Sequence, residues 1–87
     1  MPKTNDARIT ADIDLAIFGK PAAEFDDYEE KIWKEWSWIG ESAYREGRKI
    51  VLNKFLQRKP IYHTEFFRNK YEKMARANLE RSIRRLG

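Results

Sequence analysis

Cysteine is absent from this 87-residue chain, which excludes disulfides, cysteine-bound zinc and thiol catalysis. Histidine occurs once, at His63, so a histidine-rich metal site is excluded as well. No Ser-His-Asp set, P-loop or glycine-rich dinucleotide motif is present. Apolar runs are short, none approaching the roughly 18 residues of a membrane span, and Met1 to Asp6 lacks a signal-peptide pattern. These absences point to a soluble protein of a reducing, cytoplasmic compartment with no membrane role. Period-2 alternation is also missing, so no strand is expected.

What is present is charge and aromatic mass. Charged residues make up 37% and aromatics 14% of the chain, and the aromatics supply the core that a disordered composition lacks. The net charge of +4 is unevenly placed. Glu24 to Glu35 leans acidic, while Arg76, Arg81, Arg84 and Arg85 stand against only Glu80. A basic end can attract an anionic partner, but cations also suit a helix C-terminus. With an acidic stretch elsewhere, nucleic acid is not the expected partner.

Gly19, Pro21, Gly40, Pro60 and Gly87 punctuate the chain into four helices. After a polar lead over residues 1–8, one helical domain is expected over 9–87. Thr10 reads as the cap of a short helix ending at Gly19, where glycine tolerates left-handed geometry. Pro21 suits the first turn of a second helix, whose stripe runs Phe25, Tyr28, Ile32, Trp36 and Ile39, widened by Trp33. Tyr44, Gly47, Val51, Leu52, Phe55 and Leu56 form the inner face of a third. Gly47 costs about 1 kcal/mol relative to alanine inside a helix, which a close helix crossing would explain. Thr64 caps the last helix, with Phe67, Tyr71, Met74, Ala75, Asn78, Leu79, Ser82, Ile83 and Leu86 facing inward. Asn78 on that stripe needs partners, which bridging to a neighbouring helix would supply.

The segment "ITADIDLAIFG" sets Asp12 and Asp14 two apart in an apolar run. Side chains at that spacing do not face each other on a helix, so both cannot chelate one ion in regular geometry. A first helical turn, where the positive helix end favours carboxylates, is the simpler reading; a single ligand to a hard divalent cation is the other. In "EFDDYEE" the carboxylates Asp26, Asp27, Glu29 and Glu30 read mostly as a solvated face, with Glu30 paired to Lys34. His63, alone in a loop, reads as exposed or hydrogen-bonded.

Several segments together resemble a family of predicted metal-dependent phosphohydrolases of the HD superfamily. "ADIDLAIFGKP" is similar to that family's "DADLAILG-x-P" segment. "YEEKIWKEW" resembles its "Y-x-x-x-(I/V)-(R/K)-x-E-Y" helix, with Trp36 where tyrosine is usual. "YREGRKIVLNKFLQRKPIYHT" and "YEKMARANLERSI" are similar to its later helices, so that the resemblance covers roughly residues 9–86. It implies an all-α fold of about four helices forming part of an HD-type bundle, and a divalent metal of the Mn or Mg type that activates water against a phosphoester or nucleotide. By that pattern Asp14, followed by Leu15, is the candidate metal ligand, and Asp12 would orient a ligand. Arg45 and Arg48 fall at matched positions, where they would hold an anionic substrate or form ion pairs, the second being preferred.

The family's histidine and His-Asp doublet lie upstream of the segments matched here. The resemblance therefore implies a C-terminal helical segment, inactive alone, whose apolar surplus packs on a missing N-terminal half or on a second copy. The alternative is a stand-alone helical interaction or dimerisation module without enzymatic activity, because dense aromatics on a small chain can be buried by self-association.

Overall fold

A computed structural model describes residues 5–87, so residues 1–4 of the polar lead lie outside the described part. It is all-α. Helix α1 spans Asn5–Asp14, α2 Ala22–Trp36, α3 Glu41–Leu56 and α4 Glu65–Leu86. Two 3₁₀ turns, Ala16–Gly19 and Ser37–Ile39, link the first three, and no strand occurs among the described residues. No helix there is long and apolar enough to cross a membrane.

The longest helix, α4, is the spine. Its Ala75 and Leu79 are fully buried against Phe18, Phe25, Leu52, Ile61 and Tyr62. Phe18 stacks obliquely on Phe55, with ring centroids 5.0 Å apart, and meets Phe25 edge-on at 6.2 Å. Thr64 caps α4 as its sequence suggests, its hydroxyl accepting from the Phe67 N–H.

Asn78 has the bridging role expected of it. Its amide donates to the carbonyls of Phe18 and Lys20, both at 2.8 Å, and its Oδ1 accepts from Arg81 at 3.0 Å. The first 3₁₀ turn is thereby fastened to α4, which satisfies carbonyls a helix end leaves open.

The first helix corrects the sequence reading. It begins at Asn5 and ends at Asp14, and Thr10 lies in its interior, donating back to the Asp6 carbonyl at 2.9 Å instead of capping. Gly19 closes the 3₁₀ turn with an ordinary φ; positive φ occurs only at Gly40 (101°) and Gly87 (85°) among the described glycines. Gly19 is needed for proximity instead: a Cβ there would stand 2.4 Å from Tyr71 Cβ. The close approach expected at Gly47 is absent, since no neighbouring atom lies within 4 Å of a Cβ built on it. The predicted inner faces also overreach, because Trp36, Ile39, Val51 and Met74 are exposed. At Ser37 the helical pitch tightens to 3₁₀, which carries the end of the α2 stripe out of register with the core.

Helices α2 and α3 are joined by Trp33 against Tyr44, at 5.0 Å between rings, and by a two-pronged pair from Arg48 to Glu29. Both charged side chains are nearly closed off, at 13% and 14% exposed. A pair so enclosed is costly to break from one side, because the survivor stays desolvated. Replacing either Arg48 or Glu29 by alanine is expected to lower unfolding free energy by about 3 kcal/mol. Urea denaturation of both single variants and the double variant checks this, with the double variant losing much less than the sum.

Candidate functional site

The two aspartates of the first segment sit in the last turn of α1, not in a first turn. A helix C-terminus carries the negative end of the dipole, so their placement needs a local cause. For Asp12 the cause is the loop 57–64, which approaches from the other side. Fully buried, Asp12 accepts from the His63 N–H at 2.7 Å, the Thr64 N–H at 2.8 Å and the Thr64 hydroxyl at 2.6 Å. These donors lie at the N-terminus of α4, whose positive end suits a carboxylate. Burial works to raise the Asp12 carboxyl, but the hydrogen bonds from the Thr64 side chain and the His63 and Thr64 backbone outweigh it and hold its pKa below the ordinary value.

A second carboxylate completes the arrangement. Glu72, from α4, accepts from the Ile61 N–H at 2.9 and 3.1 Å and from the Tyr62 N–H at 3.3 Å, and pairs with Arg76 at 3.0 Å. Four consecutive backbone N–H groups, 61 to 64, are thus held by two carboxylates from two helices. This lets a loop bury Ile61 and Tyr62 completely, which an unsatisfied backbone would forbid. The Tyr62 hydroxyl donates to the Leu15 carbonyl at 2.8 Å and ties the loop to the end of α1. Burial, then the charges of Glu72 and Asp12, push the Tyr62 pKa well above its usual range.

Asp14 is the opposite of its neighbour. It is exposed, on the outer side of a helix whose inner side Asp12 anchors, and Ile9 and Ile13 of the same helix are 37% and 58% exposed. The structure therefore separates the two carboxylates: Asp12 has its oxygens committed to the loop, and Asp14 is displayed.

Arg45 and Arg48 form ion pairs, the preferred reading. Arg48 holds Glu29, while Arg45 pairs with Glu41 at 3.1 Å and reaches the carbonyls of Arg85 and Leu86 at 3.3 and 3.4 Å. Glu30 pairs with Lys34 at 3.7 Å, as its spacing suggests. The acidic stretch is less of a solvated face than expected, since Asp26 binds Arg81 at 2.7 Å and Arg85 at 3.2 Å. Most of the basic end is correspondingly engaged: Arg76 donates to the Leu56 and Arg58 carbonyls, and Arg81 and Arg85 share the single carboxylate of Asp26.

Among the described residues no three His, Asp or Glu side chains come together in a way that could hold a metal ion. Asp12 has both oxygens occupied by N–H and O–H donors, and Asp14 belongs to no such group of three among the described residues, so the described residues do not by themselves form a set of ligands that fits a divalent cation. Compared with protein-family models, curated proteins and solved structures, the chain finds no match in any of the three.

Sequence reasoning missed Glu72 and the burial of Ile61 and Tyr62. The signal was thin, because a carboxylate eleven residues downstream of a loop has no periodic relation to it. His63 carries its part through its backbone and through Nε2, which lies 3.1 Å from Arg58.

Proposed function

We propose that this chain forms the C-terminal helical layer of a metal-dependent phosphohydrolase of the HD type. It contributes Asp14 as one carboxylate to a metal whose other ligands stand on a further helical layer, and it has no turnover of its own. The observation that carries this reading is the display of Asp14 on an anchored helix that also leaves Ile9 and Ile13 uncovered. A helix that shows both apolar residues and a carboxylate to the outside suits cover by a further layer, where the carboxylate would be withdrawn from water. The segment resemblance over residues 9–86 supplies the chemistry, phosphoester hydrolysis assisted by a divalent cation.

A second reading rests on a different surface. At the junction of α2 and α3, Trp38 is 75% exposed and lies 6.0 Å from the also exposed Trp36. Such a pair suits an interaction module that buries its apolar surplus against a second copy. Activity separates the readings from a self-sufficient enzyme. The purified chain is expected to hydrolyse no phosphomonoester or phosphodiester with added Mn²⁺; turnover abolished by Asp14→Ala would contradict the proposal. Sedimentation of the same sample reports self-association, and a stable monomer counts against the second reading.

A further inference from the structure

Arg8 of α1, Arg58 and Lys59 of the loop and Arg68 of α4 open onto one hollow of about 570 Å³, together with His63, and no carboxylate among the described residues lines it. Their contacts set these arginines apart from most others in the chain. Arg45, Arg48, Arg76, Arg81 and Arg85 each meet a carboxylate. Arg8, Arg58 and Arg68 instead surround a single residue through neutral acceptors: Arg8 and Arg68 both donate to the His63 carbonyl, at 2.7 and 3.1 Å, and Arg58 donates to His63 Nε2 at 3.1 Å. Arg68 also reaches the Thr64 carbonyl at 3.3 Å.

Three guanidinium groups converge here without neutralisation. Asp12 holds the other side of the same residue, but its oxygens are taken by backbone and hydroxyl donors, and it does not line the hollow. A guanidinium carries five N–H donors in a planar fork that matches paired oxygens of an oxyanion. Arg8 and Arg58 each commit one nitrogen and Arg68 two, which leaves several donors free around one point.

We infer that the hollow formed by Arg8, Arg58, Lys59 and Arg68 around His63 is a binding site for the terminal phosphate of a small phosphorylated molecule. Three forks and an ammonium offer more donors than a two-oxygen carboxylate can accept, and a tetrahedral dianion uses them best. The site is drawn from α1 and from the stretch 58–68 that joins the loop to the start of α4, not from the basic end of α4. It stands on the unpaired guanidinium groups and needs neither a metal nor the assignment of Asp14.

The test is calorimetric titration of the metal-free full chain with pyrophosphate at low salt, with amide chemical shifts recorded in parallel. Binding in the sub-millimolar range is expected, with the largest shifts at His63 and Thr64, and Arg58→Ala and Arg68→Ala each weakening it by about tenfold or more. Arg68→Lys keeps the charge and loses the fork, so it guards against a folding defect and is expected to retain the fold while weakening binding. Arg84→Ala, an exposed cation elsewhere on α4, leaves binding unchanged. No binding up to about 10 mM, an equal loss in Arg84→Ala, or stronger binding to a single-stranded oligonucleotide than to pyrophosphate would each overturn the inference. Because the titration is made on metal-free chain, failure here leaves the Asp14 reading standing, and the reverse also holds.

Discussion

Replacing Asp12 by alanine is expected to cost the fold about 3 kcal/mol or more, lowering the melting temperature by more than about 10 °C. The carboxylate receives three hydrogen bonds, and two come from the backbone N–H groups of His63 and Thr64. Removing it strands those donors in a site closed to water, where each costs about 1–3 kcal/mol. Asp12→Asn keeps the shape but can accept through only one of its two positions, so an intermediate loss is expected. The same carboxylate links stability to pH. Its folded pKa lies below its unfolded value, so its contribution is present in full above the ordinary aspartate range and is lost as pH falls through the lowered folded value. Asp26, held down chiefly by its hydrogen bond from Arg81, acts in the same direction. Thermal melts at descending pH should therefore show a fall in stability in the acid range that is shallower in Asp12→Ala.

Gly19→Ala is expected to destabilise by about 2–3 kcal/mol, although it adds a single methyl group. The added carbon would meet Tyr71 Cβ at 2.4 Å, an atom fixed to the α4 backbone, so no rotamer change relieves the contact. Either the 3₁₀ turn or α4 must shift, and a shift of the turn strains the Asn78 bonds to Phe18 and Lys20. Gly47→Ala is the control. It stands in the open interior of α3 with nothing within 4 Å, and the lost backbone freedom of glycine should make the alanine variant more stable by about 0.5–1 kcal/mol. Urea denaturation of the two variants should thus give shifts of opposite sign; equal shifts would show that Gly19 does not lie against α4 as described.

These two glycines show how far the sequence could be read. Helical periodicity and punctuation located the last three helices and the Thr64 cap because both signals are local. Asn78 was legible as a polar residue on an apolar stripe, a pattern that demands a partner. The choice between Gly19 and Gly47 was not legible, because the need for glycine came from Tyr71, more than fifty positions away. The Asp12 and Asp14 pair was visible, but its dipole argument assumed a first turn. The helix start at Asn5 moved both residues to the last turn, where the N-terminus of α4 supplies a positive end to Asp12 alone. The charge reading favoured the basic run near the C-terminus because runs are seen in sequence. Folding spends most of that run on Asp26 and on loop carbonyls, and gathers the unneutralised cations from positions 8, 58 and 68.

The separation of roles between Asp12 and Asp14 is the centre of this account, and titration of the purified chain with Mn²⁺ by calorimetry tests it most directly. The wild-type chain is expected to bind no tighter than millimolar, as a lone displayed carboxylate should, and Asp14→Ala should fold and melt like wild type. Tight binding that is abolished by Asp14→Ala would contradict the account, since it would mean that this chain, alone or with a second copy, already assembles a complete metal site.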